Sequence, residues 1–275
     1  MIRIAPHTVH DIVDGELRER TRRRLEEIIP KQAATGIPPL GRFLSTFRME
    51  AGAFLGRNDA PWVRRLVTAL GELGTAVFSS SQRTGPVSFP FEGKTVAGLG
   101  APAHFSETPH VWTLVFFANQ CVRNQTALDT QLREPTEQLA NAPGDRDTYH
   151  LPFVEALRLF ARDDAAWKAA ARTAMDLMAP DKLRIATPKS VAPNVAILKA
   201  LDAIHERSQM RFTDALVEAL EAHKAMWSKG SASSDPAGLI ALEAAGTAAL
   251  GITRGLQFEV ETPYAPRWLV ENTTP

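Results

Sequence analysis

The spacing of apolar residues is the feature that most restricts the fold of this chain. Apolar side chains recur every three or four residues over most of the sequence, which is the period of an amphipathic helix. The clearest stripes run through residues 40–55 and 62–77. This pattern predicts an all-α fold, either a multi-helix bundle or an irregular α-solenoid-like array.

Capping and helix-breaking residues predict where several helices begin and end. Thr8 would cap the first helix and Pro30 would stop it, while Asp59 and Pro61 would begin the third. Residues 109–121 are apolar nearly all round, which indicates a buried central helix. Further helices are predicted at residues 126–132, 153–162, 165–178, 195–208, 212–227 and 239–254.

The helical period is interrupted between residues 79 and 109. In VSFPF, residues 87–91, apolar side chains alternate with serine and proline, and Glu92-Gly93 offers a turn before a second short strand. We therefore predict a small β-hairpin insertion near residues 86–98. The following GLGAPAHFSETP is predicted to be a loop.

The chain is predicted to form a single helical domain over residues 1–275. A connector punctuated by prolines, APDKLRIATPKSVAPN, offers an alternative division into two packed subdomains, residues 1–180 and 190–275. Near the C-terminus, the loop SKGSASSDPAG is expected to be mobile because of its serine, glycine and proline content.

Composition argues against several classes of protein. The chain has 31 Lys+Arg and 31 Asp+Glu, so it lacks a general electrostatic attraction to nucleic acid or to an anionic membrane. A single cysteine cannot form an intramolecular disulfide, and the first residues lack the pattern of a signal peptide, which predicts a cytoplasmic protein. No apolar run approaches the roughly 18 to 20 residues of a spanning helix, so no membrane span is expected.

Motifs for chemistry are weak. GLGAPA at residues 98–103 fits a glycine-rich dinucleotide loop only nominally, because no βαβ pattern surrounds it. Glu107 and His110 form one E-x-x-H pair, whereas a di-iron bundle needs two. The histidines show no zinc spacing, and Cys121 lies in an apolar helix. The sequence therefore predicts no catalytic residue, no metal site and no cofactor.

Several segments together carry a family resemblance. They are an arginine-rich N-terminal helix, VSFPFEGKTVAG, PHVWTLVFFANQCVRNQTALDTQL, DTYHLPFVEALRLF, and ALVEALEAHKAMW followed by GLIALEAAGTAALGITRGLQFEVETPYAP. In these segments the chain resembles the immunity protein 49 family, helical proteins associated with bacterial polymorphic toxin loci. The chain departs from the family pattern at Met226, where an aromatic residue is expected, and before Tyr264, where an aspartate is expected.

The resemblance implies a bacterial immunity protein that binds and neutralises a cognate toxin domain by direct contact, without chemistry of its own. Trp112, His223, Trp227 and Tyr264 match the family pattern and are mostly packing types, so we expect them to define the fold.

Charged loop residues are our predicted contacts with the toxin. They are His104 and Glu107 in the irregular loop, and Asp145 and Asp147 in the turn NAPGDRD. A local acidic patch of this kind would suit a nuclease toxin, because it would mimic phosphate and steer association.

Two other functions stay open at this point, and the sequence also leaves open whether the protein forms a homodimer. One is a helical-repeat scaffold or regulator that binds a peptide or small ligand in a groove lined by aromatic residues such as Trp112, Phe116, Trp227 and Trp268. The other is a hydrolase or metal-dependent enzyme whose residues converge only in three dimensions.

Overall fold

A computed structural model describes residues 2–7, 15–81, 83–102, 107–134, 137–141 and 146–274. These residues are mainly helical, which confirms the predicted all-α class with a small β insertion. The helices are α1 (Leu17–Arg23), α2 (Ile29–Ala33), α3 (Arg42–Gly56), α4 (Ala60–Ser80), α5 (Pro109–Cys121), α6 (Gln125–Arg133), α7 (Glu137–Ala140), α8 (His150–Ala161), α9 (Trp167–Leu177), α10 (Pro188–His205), α11 (Gln209–Trp227), α12 (Leu242–Thr253) and α13 (Arg267–Val270).

Four short strands form two separate pairs. The strands are β1 (Ile2–Arg3), β2 (Gly85–Phe91), β3 (Lys94–Gly100) and β4 (Val260–Glu261). Strands β2 and β3 pair antiparallel across a Glu92-Gly93 turn, as predicted. The predicted loop after the hairpin is wrong at its start, because Gly98 and Gly100 belong to β3.

The centre of the fold is α5, which packs against α4 on one side and α12 on the other. Thr108 caps α5, since its hydroxyl accepts the backbone N–H of Val111 at 3.2 Å. Trp112, Phe116 and Phe117 are fully buried here, and each such side chain contributes about 1.5 to 3 kcal/mol of hydrophobic stabilisation. One apolar core extends from this helix to both sides of the connector at residues 180–190.

The N-terminal helical region differs from the prediction at its end. Residues 24–28 form a π-helical turn between α1 and α2, and the helix continues through Pro30 to Ala33. In the π turn the N–H of Ile29 bonds to the carbonyl of Arg24, five residues earlier instead of four. The regular α-helical hydrogen bonds are therefore already interrupted at the position where Pro30, which has no N–H, follows. The predicted cap at Thr8 lies outside the described residues.

Helix α4, the predicted third helix, begins where expected, but Asp59 makes a different contact from the predicted cap. Pro61 lies in the first turn of α4 and Asp59 occupies the N-cap position. The Asp59 carboxylate forms an ion pair with Arg18 and makes no hydrogen bond to the helix backbone. This residue therefore ties α1 to α4.

Helix α10 begins earlier than predicted, inside the proline-punctuated connector. Thr187 and Ser190 form a reciprocal capping box, and Pro188 occupies the first turn. Pro193 lies within the helix. The helix thus starts where prolines had indicated a connector, because the capping box supplies a strong start signal.

The segment after α11 packs against the rest of the fold more closely than its composition indicates. Residues 230–234 and 236–239 form 3₁₀ turns, and the second turn packs against α3. A Cβ atom on Gly52 would lie 1.9 Å from the carbonyl oxygen of Pro236, so only glycine permits this approach. The second half of the predicted mobile loop is therefore part of the packed fold.

Residues 236–253 are, within the described chain, the one stretch that meets the length and hydropathy of a membrane-crossing helix. This stretch is 72% buried inside the protein, which is typical of a core element.

The two ends of the described chain meet at one place. Strand β1 pairs parallel with β4, and Ile4 is buried beside them. Tyr264 Oη accepts the backbone N–H of His7 at 2.7 Å and forms a second hydrogen bond with His7 Nδ1 at 2.8 Å. These contacts fasten the N-terminal segment to the C-terminal tail.

Candidate functional site

A cavity of about 520 Å³ opens between α3, α5, α8, α10 and α11, with α12 at its base. Its wall has three kinds of side chain. The apolar ones are Met49, Phe153, Pro193, Met226, Trp227 and Ala237; the uncharged polar ones are Ser45, Thr46, Thr113, Ser190 and Asn194; the titratable ones are Arg48, His110, Tyr149, His150, His223, Asp235 and Glu243.

A buried ion pair forms part of this wall. Arg48 of α3 binds Glu243 of α12 through two hydrogen bonds, Nη1–Oε1 at 2.7 Å and Nη2–Oε2 at 3.1 Å. Burial alone would raise the pKa of Glu243, but the Arg48 charge and neighbouring hydrogen bonds outweigh it and lower that pKa. The Glu243 carboxylate therefore stays ionised, and both of its oxygens are hydrogen-bonded to Arg48.

The same arginine also faces Trp227 of α11. The guanidinium carbon of Arg48 lies 5.9 Å from the centre of the Trp227 ring. Two N–H donors here, Arg48 Nε and Trp227 Nε1, are shielded from water and have no hydrogen-bond partner. Both side chains therefore keep one unsatisfied donor in the folded protein.

His223 of α11 is buried beside the cavity in a fixed orientation. Its Nε2 lies 2.9 Å from the carbonyl oxygen of Gly238, so Nε2 carries the proton and donates it. Burial, followed by the charge of Arg48, lowers the pKa of His223 to about 4. The ring is neutral at pH 7 and packs edge-on against Tyr264.

His110 and His150 present their rings at the first residues of α5 and α8. His110 is accessible through the cavity although protein surrounds most of it, and burial and the Arg48 charge lower its pKa. His150 stacks on Tyr149 with ring centres 4.1 Å apart, and burial and the proximity of His110 lower its pKa to about 4. Neither imidazole has a hydrogen-bond partner among the residues that the structure describes.

Tyr149 adds a neutral hydroxyl to the same wall. Burial, and then the charge of Asp147, raises the pKa of its phenol to about 12. The phenol therefore keeps its proton throughout the physiological range of pH.

The cavity is suited to binding. Its one buried carboxylate is held by Arg48, and its imidazoles are neutral. Within the described ranges, no group of three or more His, Cys, Asp or Glu residues has the geometry to hold a metal ion. Although polar residues outnumber apolar ones in the wall, most of its accessible surface is apolar, which is typical of a small-molecule site.

Two of the four predicted toxin contacts are buried in the protein. Glu107 and Asp147 are each 2% exposed. The Asp147 carboxylate accepts backbone N–H groups of residues 184–186, so it organises the start of the connector. His104 and Asp145 lie outside the described residues, and their role stays a prediction.

The four residues expected to define the fold occupy different depths. Trp112 and Tyr264 are in the core, His223 is buried at the cavity, and Trp227 is half-buried in its wall. Of the aromatic residues named for a groove, only Trp227 lines this cavity. Trp112 and Phe116 instead stack on each other in the core, with ring centres 5.5 Å apart.

Sequence reasoning missed Arg48, His150 and Glu243 as residues of one site. The available signal was Glu243, a lone carboxylate within the apolar run GLIALEAAGTAALG. A carboxylate buried there requires a cation, but the cation is 195 positions away along the chain. Periodicity could not identify that partner.

Comparison with known proteins gives one match. A model of the family described as immunity protein 49 matches residues 60–269, from α4 into α13. No curated protein and no solved structure matches the chain. The match includes the cavity wall from His110 to Glu243, while α3 with Arg48 precedes it. The chain therefore belongs to the immunity protein 49 family.

Proposed function

We propose that the protein is a bacterial immunity protein that binds a cognate toxin domain and neutralises it by direct contact. Membership of the immunity protein 49 family is the observation that carries this proposal. Inhibition of this kind requires a preformed surface of about 800 Å² per partner and no reaction at the surface itself. We accordingly propose a non-enzymatic role, exercised in the cytoplasm.

The packing of the chain supports a preformed surface. A single apolar core joins the helices, and the long helices α3, α4, α10 and α11 are bound to their neighbours along their length. A partner would therefore meet a surface that changes little on binding.

The charge distribution favours recognition by local patches. The arginines of α1 are offset by glutamates of α1 and of the π turn that follows it, since Arg22 pairs with Glu19 and Glu26. The whole chain is also neutral. Long-range steering by net charge would thus be weak, and His104 and Asp145 remain our predicted contacts.

Co-expression with the product of the adjacent gene tests this function. We expect the neighbour alone to be toxic, growth to be restored by this protein, and the two chains to purify together as a complex. Replacing both His104 and Asp145 by alanine should weaken the complex, whereas Lys199→Ala, at an exposed ion pair between α10 and α11, serves as the control.

Two results would contradict the proposal. If the product of the adjacent gene is harmless when expressed without this protein, that product is not a toxin and needs no immunity protein. Restored growth without any complex, measured by co-purification and by analytical size exclusion, removes direct neutralisation.

A further inference from the structure

We propose that the cavity between α3, α5, α8, α10 and α11 binds a small organic acid. In this site the carboxylate contacts the imidazoles of His110 and His150, and the apolar part of the molecule lies against Trp227 and Phe153. This inference is independent of the proposed immunity function.

The size and lining of the cavity fit such a molecule. A volume of about 520 Å³ lies inside the range of roughly 300 to 1,000 Å³ that is typical of small-molecule sites. Trp227, Phe153 and two methionines provide an apolar surface, and polar groups from α5, α8 and α11 line the same cavity. A ligand with one apolar part and one polar end is therefore favoured.

The unfilled hydrogen-bonding capacity of the wall favours an acceptor. The Glu243 carboxylate is occupied by Arg48, and Asp235 Oδ1 accepts the N–H of Ala237 at 2.9 Å. The N–H groups Arg48 Nε and Trp227 Nε1 also have no partner, but they are shielded from solvent, so the groups that a ligand meets are the imidazoles of the wall. A cationic ligand would find the Glu243 carboxylate already paired, whereas the carboxylate of an acid accepts the N–H groups of His110 and His150, which have no partner among the described residues.

The electrostatics also favour an anion. After burial, the charge of Arg48 is the next largest cause of the lowered pKa of His110, and it exceeds the opposing charge of Glu243. At this imidazole the positive charge of Arg48 therefore outweighs the negative charge of Glu243, even though the two form a pair. Charge-assisted hydrogen bonds to a carboxylate are about twice as strong as neutral ones.

Binding should be coupled to proton uptake. A carboxylate beside the two imidazoles favours their protonated form, so it raises their pKa values and binds more tightly at lower pH. The other titratable groups facing them from the surrounding elements are Arg48, Tyr149, His223, Asp235 and Glu243, with Arg146 and Asp147 also acting on His150. Helix α10 contributes the uncharged Ser190 and Asn194.

A matched pair of probes tests the proposal. We would titrate the full chain with 3-phenylpropanoate and with its neutral isostere 3-phenylpropanamide, and follow binding by nuclear magnetic resonance at pH 6 and pH 8. At pH 6 the acid should bind about tenfold more tightly than the amide, which corresponds to about 1.4 kcal/mol. The difference should shrink at pH 8.

Variants locate the binding. His110→Gln should reduce the affinity for the acid about fivefold, a loss on the scale of one charge-assisted hydrogen bond, and leave the affinity for the amide unchanged. His150→Gln provides a second, independent test. His205→Gln, at the exposed end of α10 and outside the cavity wall, is the matched control, and thermal unfolding reports whether each variant is folded.

Three outcomes overturn the proposal. One is equal affinity of the wild-type protein for acid and amide. Another is unchanged affinity for the acid in both folded cavity variants. The third is the absence of binding by either probe up to about 20 mM, since fragments of this size bind detectably in suitable sites.

Discussion

The buried pair of Arg48 and Glu243 is the residue contact on which the cavity depends most. Exposure of the two side chains is 10% and 17%, and the pair joins α3 to α12. Taking two charges out of water is costly, and the mutual attraction and the hydrogen bonds offset that cost only while both partners are present. The pair therefore fixes the spacing of two helices more than it adds net stability.

Arg48→Met tests this interpretation. The substitution leaves the Glu243 carboxylate buried without its cation, so we expect a loss of about 3 to 5 kcal/mol in the free energy of unfolding, measured by urea denaturation. Lys199→Met is the control, because its ion pair with Glu218 is half-exposed and should contribute little.

A double variant separates charge from packing. Arg48→Met combined with Glu243→Leu removes both charges, and it should be more stable than Arg48→Met alone. If the double variant is instead the less stable of the two, the loss comes from side-chain packing and the unpaired-charge explanation is wrong.

At the scale of elements, one hydroxyl group helps to hold the N-terminal segment against the tail. Tyr264 is fully buried, and its Oη bonds to both the backbone and the ring of His7. Strand β1 is only two residues long, and its pairing with β4 includes backbone hydrogen bonds donated by the N–H groups of Ile2 and Ile4. The tyrosine hydroxyl therefore adds two hydrogen bonds to those of the strand pairing.

Tyr264→Phe removes that hydroxyl while keeping the ring. We expect faster amide hydrogen exchange at residues 2–7, because the N–H of His7 loses its acceptor, and unchanged exchange in α5. Tyr149→Phe removes a hydroxyl elsewhere and is the control. Unchanged protection at residues 2–7 would show that the strand pairing alone holds the segment.

Most elements could be predicted from the sequence because their signals are local. The apolar period located α3, α4, α5 and α11 within a few residues, and the Glu92-Gly93 turn identified the hairpin. The predicted helix boundaries are wrong at prolines where a neighbouring feature outweighs the helix-breaking effect of the proline. The π turn carries the helix through Pro30, and the capping box at Thr187 begins α10 before Pro193.

The cavity could not be predicted in the same way, because its residues come from distant parts of the chain. His110 lies in the first turn of α5, His150 begins α8 and His223 lies within α11, so no short motif contains two of them. In the sequence each is a lone histidine. Their proximity results from helix packing, and only the family resemblance pointed to His223 at all.

At the scale of the whole molecule, buried neutral histidines make stability depend on pH. His223 is 4% exposed, and its pKa in the folded protein is about 4, below the ordinary value of 6.5 for histidine. The unfolded chain therefore takes up this proton first as the pH falls. The stability that neutral His223 contributes is fully present above about pH 6.5, and this contribution is lost as the pH falls towards 4.

His223→Gln should reduce this dependence. Between pH 7 and pH 4 the wild-type protein should lose about 3 kcal/mol more free energy of unfolding than the variant, because the variant has no imidazole to protonate. Urea denaturation at several pH values measures the difference. Equal slopes in the two proteins would show that other groups account for the acid sensitivity, and exposed His205→Gln is the control.

The junction of the chain ends has a consequence for how the protein is made. His7 and Tyr264 are 257 positions apart, so the segment that pairs as β1 leaves the ribosome long before its partner exists. At about 5 to 20 residues per second, the delay is roughly 13 to 50 s. The contact between His7 and Tyr264 is thus among the last of the fold to form, because the residues of every central helix are synthesised before Tyr264.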